Sequence, residues 1–386
     1  MITIDYGGIQ MHDLLEKLGK DIVHEESPND PGKRSRLWFY EDVEQVLTES
    51  TGTKKIIGIK VNLPEPAEIT LNPECFRKMV NLEIFINRNA SLWGHISYLP
   101  NTLRLIKWDR CQLQSLPSNF QGNHLVEFNM PRSHIRQLEG FKNMPMLTSM
   151  NLSGCQFLEK IPDLSRIPNI KDLNLSWCTS LVEVDDSVGR LDKLVQLNLR
   201  GCVRLTRFAT RLRLKSLETL YLSDCERLES FPEIEVEMES LWILHIRRSG
   251  IRELPSSIAY LTGLDTLEAW DSKLQLCPNL SKFCLKGCSQ IRKLERFKHL
   301  PKLTSMNLSG CQFLEKIPDL SRIPNIKDLN LSWCTSLVEV DDSVGRLDKL
   351  VQLNLRGCVR LTRFATRLRL KSLETLYLSS AQVKVT

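Results

Sequence analysis

The chain has 386 residues, a formal charge of +6 at pH 7 and 42% hydrophobic residues. That hydrophobic content excludes a disordered chain, and the interspersed charges leave no one-sided basic footprint of the kind nucleic-acid binders carry. No window approaches the ~18 apolar residues of a membrane helix, and MITIDYGGIQ lacks a basic stretch followed by an apolar one, so neither a membrane span nor a secretory leader is expected.

Residues 1–60 are not repetitive. Ile2–Asp5 and Ile9–Met11 flank Tyr6-Gly7-Gly8, which predicts a strand–turn–strand. Leu14, Leu15, Leu18 and Ile22 follow with helical spacing. Asp13 stands before them as the expected N-cap, with Glu16 completing a capping-box pattern. Ser27-Pro28-Asn29-Asp30-Pro31-Gly32 ends that helix in a loop, and the basic cluster Lys33-Arg34-Ser35-Arg36 comes next. A second helix is expected over Glu41–Glu49, closed by Ser50-Thr51-Gly52. The run Ile56–Leu63 reads as the strand that starts a repeat array.

Leading apolar residues then recur at Leu82, Leu103, Leu125, Leu147, Ile170, Leu194, Leu217, Leu241, Leu264, Leu280, Leu303, Ile326, Leu350 and Leu373. The steps are 21 to 24 residues, apart from one of 16 between Leu264 and Leu280. This is the period of leucine-rich repeats (LRRs), each of which leaves an apolar face wet until it stacks on a neighbour. The expected architecture is α/β: an LRR solenoid with a parallel sheet on its concave face and a short helical or irregular convex side. In LTSMNLSGC, Leu147, Met150, Leu152 and Cys155 should point into the stack.

Nine of the twelve cysteines fall eight residues after a leading residue, as Cys155 does after Leu147 and Cys288 after Leu280. Their spacing follows the repeat and not a pairing scheme, and no CxxC occurs, so packing thiols in a reducing compartment are expected. Each can bond a free backbone carbonyl at the strand-to-loop bend. Alternate strand positions should face the concave surface: Ser149, Asn151 and Ser153; Asp172, Asn174 and Ser176; Gln196, Asn198 and Arg200; Thr219, Tyr221 and Ser223; Ile243, His245 and Arg247; Thr266, Glu268 and Trp270. Aromatic residues and arginines make the strongest anchors in protein interfaces. The candidate protein-binding residues are therefore Arg200, Tyr221, His245, Arg247, Glu268 and Trp270.

Residues 147–223 recur unchanged as 303–379, a match over 77 consecutive positions. The 16-residue step lies between the copies, and a flattened or kinked array is expected near Ser272–Asn279. The array's end should leave an apolar edge at Leu373, Leu376 and Leu378 before the tail 380–386. Asn87 is polar where a repeat should carry an inward aliphatic residue.

Met11-His12-Asp13 with the following LLEKLGKDIV resembles the MHD motif that closes the nucleotide-binding module of plant immune receptors. ESPNDPGKRSRLWFYEDVEQVLTESTGTKKIIGI is similar to the segment joining that module to the LRRs in the Toll/interleukin-1-receptor-like (TIR) class, and the LxxLxLSxCxxLxxxP repeat fits the same class. The resemblance implies a winged-helix remnant over 1–24, a linker helix and first strand over 25–62, and repeats over 63–379. It implies that Met11, His12 and Asp13 belong to a nucleotide site: His12 at the phosphate of ADP, Asp13 orienting it, Met11 packing. No G-x-x-x-x-G-K-[ST] loop or TIR domain occurs, so neither nucleotide hydrolysis nor NAD cleavage is expected, and no cofactor is assigned to this chain, although the parent family uses ADP and ATP. The implied function is recognition and autoinhibition in plant defence, in the cytoplasm or nucleus. The implied partners are a pathogen effector or guarded host protein and the nucleotide-binding module of a receptor. The alternatives are a decoy or inactive scaffold, and an LRR adaptor.

Overall fold

A computed structural model describes residues 2–5, 8–138, 143–251, 255, 257, 260–261, 263, 266–269, 281–284, 300, 302–317, 319–364 and 369–379. Contacts divide the chain into two compact units, residues 1–162 with 166–172, and residues 163–165 with 173–386.

The first unit opens with an antiparallel hairpin, β1 (Ile2–Asp5) and β2 (Gly8–Met11), in which Ile4 opposes Ile9. Helix α1 (Asp13–Glu25) follows. Its N-cap is His12 and not Asp13: His12 is extended, and its Nδ1 accepts from the Leu14 N–H at 3.2 Å. Asp13 is already helical, and there its charge favours the positive end of the helix dipole. A salt bridge from Lys20 to Glu16 spans one turn. Helix α2 (Tyr40–Glu49) buries Val43, Val46 and Leu47 and stops at Ser50, whose φ of 55° turns the chain left-handed.

The sheet of this unit begins one strand earlier than expected. Strand β3 (Arg36–Leu37) pairs in parallel with β4 (Gly58–Thr70), which itself runs past the expected Ile56–Leu63. A two-residue strand has no readable period. Moreover, one member of the basic cluster around it is buried while Lys33 and Arg36 stay exposed. Arg34 is only 3% exposed; its guanidinium donates to the carbonyls of Ser27 and Pro28 at 2.8 Å each and to Asp42 of α2 at 2.6 Å. Parallel strands β5 (Ile84–Trp93), β6 (Leu105–Trp108), β7 (Glu127–Asn129) and β8 (Ser149–Asn151) continue the sheet. A two-residue strand, β9 (Lys160–Ile161), lies in the following loop. Asn87 points inward as its position requires and is 1% exposed. Its Nδ2 donates to the Ala90 carbonyl at 2.7 Å, but neither its Oδ1 nor the Nε1 of buried Trp108 has a hydrogen-bond partner among the described residues. Each such buried polar atom costs about 1–3 kcal/mol.

Strand β10 (Asp172–Asn174) spans the boundary in sequence, and β11 (Glu183–Val184) follows it. In the second unit β12 (Gln196–Asn198), β14 (Thr219–Tyr221), β16 (Ile243–Ile246), β17 (Thr266–Ala269), β18 (Lys282–Cys284), β19 (Ser305–Asn307), β20 (Asp328–Asn330), β21 (Gln352–Asn354) and β22 (Thr375–Tyr377) pair in that order, all parallel. On the loop side β13 (Arg211–Leu212) pairs with β15 (Glu233–Ile234). The strands flanking the 16-residue step stay in register, Leu267 opposite Phe283. The kink expected at Ser272–Asn279 lies outside the described residues, as do Leu264, Leu280, Cys288 and the tail 380–386. At β22, Leu376 is 42% exposed, whereas its counterpart Leu220 in the other copy is fully buried.

The inward residues behave as the repeat demands. Leu147, Met150, Leu152 and Cys155 are at most 1% exposed, and so are Leu194, Leu197, Leu199 and Cys202. Nine cysteines, Cys75, Cys111, Cys155, Cys178, Cys202, Cys225, Cys311, Cys334 and Cys358, are buried free thiols. Five of the sulfurs donate to carbonyls of the preceding repeat: Cys155 to Met130 at 3.3 Å, Cys202 to Leu175 at 3.1 Å, Cys225 to Leu199 at 3.1 Å, Cys334 to Leu308 at 3.1 Å and Cys358 to Leu331 at 3.0 Å. Among the described residues no helix is long and apolar enough to cross a membrane.

Candidate protein-recognition site

Counting the leading leucine as position 1, positions 3, 5 and 7 of each repeat alternate with the buried leucines. Position 5 is asparagine in seven of the repeats, and in all but Asn129, which is followed two residues on by Pro131 with no N–H to give, the side chain bonds back to its own turn. In those six the Oδ1 accepts from the backbone N–H two residues on, at 3.0 Å in every case: Asn151 from Ser153, Asn174 from Ser176, Asn198 from Arg200, Asn307 from Ser309, Asn330 from Ser332 and Asn354 from Arg356. These side chains close the turn that ends the strand, so much of the face read as recognition surface is engaged in building the repeat. Position 7 is likewise less open than expected. Ser176 and Ser223 are buried, at 8% and 7% exposure, because a small hydroxyl tucks under the turn, whereas Arg200 is exposed.

The asparagine series is interrupted in the second unit. Position 5 is Tyr221 on β14 and His245 on β16, strands that pair in register, and the two rings meet edge to face at 5.1 Å. Glu268 occupies the next position 5, opposite His245 on β17. Arg247 is exposed just beyond the end of β16. Trp270 lies outside the described residues.

Position 8 adds a feature that hydrophobic periodicity does not reveal. Its backbone N–H donates to the position-7 carbonyl of the next repeat, Trp177 to Arg200 at 2.6 Å, Gly201 to Ser223 at 2.8 Å and Asp224 to Arg247 at 2.7 Å. This ladder requires a left-handed turn at every position 8. Glycine meets the requirement without strain at Gly201 and Gly357, both at φ 75°. Trp177 at 60°, Asp224 at 62°, Arg248 at 50° and Trp333 at 61° meet it against the preference of L-residues. Trp177 is held in this conformation with its side chain 48% exposed.

These residues form one network. The Arg200 guanidinium lies 5.7 Å from the centre of the Trp177 ring. Its Nε is 3.4 Å from Oδ2 of Asp224, whose Oδ1 accepts from Arg248 Nε at 2.6 Å. Asp224 is 7% exposed while both arginines are more than half exposed, so one buried anion orients two outward cations. The rim therefore presents an indole, two fixed guanidiniums and, beside them on the strands, the Tyr221–His245 pair. These are the residue types that dominate binding energy at protein interfaces. The sequence reading included Arg200, Tyr221 and His245 but missed Trp177, Asp224 and Arg248. Their signal was the alternation at position 8, where Trp, Asp and Arg stand among glycines. Among the described residues no group of three His, Cys, Asp or Glu side chains could hold a metal.

A family model described as "Disease resistance protein RPS4B-like, leucine-rich repeats" matches residues 213–300, and the general "Leucine Rich Repeat" model matches 146–166 and 302–322. Disease resistance protein RPP4 of Arabidopsis thaliana is 33% identical over 406 aligned residues, covering 98% of this chain and 33% of that protein. TMV resistance protein N of Nicotiana glutinosa is 34% identical, covering 75% of this chain and 26% of that protein. The chain is leucine-rich-repeat sequence of the plant disease resistance family. It spans a minor part of these relatives, a third of the first and about a quarter of the second. Among solved structures, Leptospira interrogans LRR protein LIC12759 is 18% identical with a TM-score of 0.45, covering 92% of this chain and 86% of that one.

Outside the repeats of this disease resistance chain, the three residues expected at a nucleotide stand in a row at the hairpin–helix junction. Met11 ends β2, His12 caps α1 and Asp13 is its first residue, with His12 and Asp13 exposed. Because Nδ1 of His12 accepts the capping bond, the neutral ring carries its proton on Nε2.

Gly201 tests the rim. A Cβ there would lie 2.5 Å from Cε3 of Trp177, and the left-handed φ disfavours any side chain. Gly201→Ala is expected to cost about 1–2 kcal/mol in denaturant unfolding and to displace the Trp177 ring. Gly357→Ala, in the identical turn beneath Trp333, should cost a similar amount.

Proposed function

We propose that this chain is the recognition region of a plant immune receptor and engages a protein ligand through the strand face and rim of its second unit. The ligand class is a pathogen effector or a host protein altered by one. The observation that carries this reading is the break in the asparagine series. Where six repeats spend position 5 on closing their own turn, two consecutive ones carry Tyr221 and His245, next to the Trp177–Arg200–Asp224–Arg248 network. In the parent receptor the repeats would pack against the nucleotide-binding module and favour its ADP state, with His12 at the phosphate. Ligand binding would shift that balance by preferring the open state. Support for such packing comes from α1, which leaves Leu14, Leu18 and Ile22 more than half exposed along one side.

The test is competition in leaf tissue that carries a disease resistance protein with matching repeats. The chain, co-expressed, should dampen the triggered cell-death response by sequestering the ligand. The variant Trp177→Ala/Tyr221→Ala/His245→Ala should lose that effect, with unchanged circular dichroism as evidence of folding. Equal dampening by the stripped variant would refute recognition through this face.

A further inference from the structure

The rim of the second unit occurs twice. Residues 147–223 recur as 303–379, and the indole–guanidinium element recurs with them. Trp333 turns left-handed at φ 61°, and its N–H donates to the Arg356 carbonyl at 2.6 Å, as that of Trp177 does to Arg200. The Arg356 guanidinium lies 6.0 Å from the centre of the Trp333 ring. Trp333 is 55% exposed, Arg356 is exposed, and Tyr377 stands on β22 where Tyr221 stands on β14. The match ends one residue before the counterpart of Asp224, which is Ser380.

Charge indicates what the second rim takes. Around Trp177, Asp224 answers one of two arginines and leaves a net charge of +1. Around Trp333, Arg356 supplies that charge alone. Among the described residues the ion pairs of the second copy are Lys316 with Glu339 and Lys371 with Asp348, and neither involves Arg356. A guanidinium lying on an indole keeps an N–H edge that fits the two oxygens of a carboxylate. One carboxylate matches a single positive charge, whereas a phosphate brings about −1.5 to −2. The exposed indole beside it offers an apolar contact. We infer that Trp333 and Arg356 form a second binding site, for a polypeptide segment with an acidic side chain next to an apolar one, and that one chain holds two such segments. This second site depends on the first rim being a recognition surface. Arg200 and Arg356 follow β12 and β21, which stand seven strand steps apart in one parallel sheet, about 34 Å along it at the usual spacing. The two sites are therefore far enough apart to fill together.

The experiment uses the full chain with ¹⁵N-labelled tryptophan. The Trp177 and Trp333 indole resonances are identified by their loss in Trp177→Phe and Trp333→Phe, and the other five of the seven report that the fold is intact. The probe is the blocked tripeptide acetyl-Leu-Glu-Leu-amide, which should move both resonances in saturable, roughly millimolar titrations. Its glutamine counterpart should bind at least about tenfold more weakly at both. Arg356→Gln should abolish the response of Trp333 and leave that of Trp177. A silent Trp333 beside a responding Trp177 would overturn the second site and leave recognition through the first rim standing. An equal response to the glutamine tripeptide, or an unchanged Trp333 titration in Arg356→Gln, would overturn the acidic assignment. Tighter binding of the phosphoserine counterpart would assign the sites to phosphate and reject the carboxylate. Silence of both indoles would overturn an acidic ligand at either rim, while the leaf competition decides separately whether the first rim recognises a protein.

Discussion

Raising the pH from 8 to 10 is expected to cost the folded chain about 5 kcal/mol of stability. The cause is the thiol series inside the repeats. Burial pushes Cys155 and Cys358 up to about 11, and Cys75 and Cys225 up to about 12, from an ordinary value of 9.0. Burial also raises Cys111 and Cys202, and Cys334 is raised chiefly by its hydrogen bond with Cys311. Above pH 9 the unfolded chain releases these protons while the folded chain retains them. The unfolded state then binds fewer protons, so stability falls as pH rises. It is fully present below pH 9 and is lost progressively between pH 9 and the folded values of about 11 to 12. Each thiol contributes a loss of about 1.4 kcal/mol per pH unit in that window. Four thiols at pH 10 make a loss of about 5 kcal/mol, comparable with the whole stability of many folded proteins. Urea unfolding at pH 8, 9 and 10 measures it. Cys225→Ala should flatten the slope by about one thiol's share, and a stability independent of pH over this range would contradict the burial of the series.

The second large effect is expected at Asp42. Arg34 is held in the interior of the first unit by two carbonyls and this one carboxylate. Removing the carboxylate leaves a guanidinium buried without a counter-charge. Asp42→Ala should therefore cost about 3–5 kcal/mol in thermal or urea unfolding. Arg34→Lys should also be costly, since an ammonium cannot reproduce the fork that reaches Ser27, Pro28 and Asp42 together. The double variant Arg34→Met/Asp42→Leu should recover most of the loss, because a packed apolar pair leaves no orphaned charge. A cost below about 1 kcal/mol for Asp42→Ala would mean that the pair behaves as a surface salt bridge.

These two residues show where sequence reading stops. Leucine and cysteine periodicity predicted the parallel repeats and the thiol–carbonyl bonds, because a stacked unit needs the same atoms at each step. Burial of a single arginine within a basic cluster is set by what folds over it, and no local pattern announces that. The cap of α1 fell to His12 for a similar reason: several side chains can close a helix, and backbone conformation chooses among them. At the rim, Tyr221, His245 and Arg200 stood out by residue type. Trp177, Asp224 and Arg248 stayed hidden because their role depends on a left-handed turn created by a bond to the next repeat. Conversely, Asn151, Asn174 and Asn198 looked available on the strand face until the Asx bonds were seen.

The repeated block carries a consequence for how the chain reaches its fold. Strand β7 pairs with Ser149–Asn151, and the chain offers it Ser305–Asn307 with identical flanking residues for 77 positions. Local chemistry cannot tell the two partners apart. Pairing with the wrong one would loop out 156 residues while preserving the contacts made by the duplicated residues themselves. The closure entropy of so long a loop exceeds that of a single repeat by only a few kcal/mol. Order of emergence during synthesis then becomes the main discriminator, since the nearer copy is available first. Refolding from denaturant removes that order, and should yield a looped-out population that growth on the ribosome avoids.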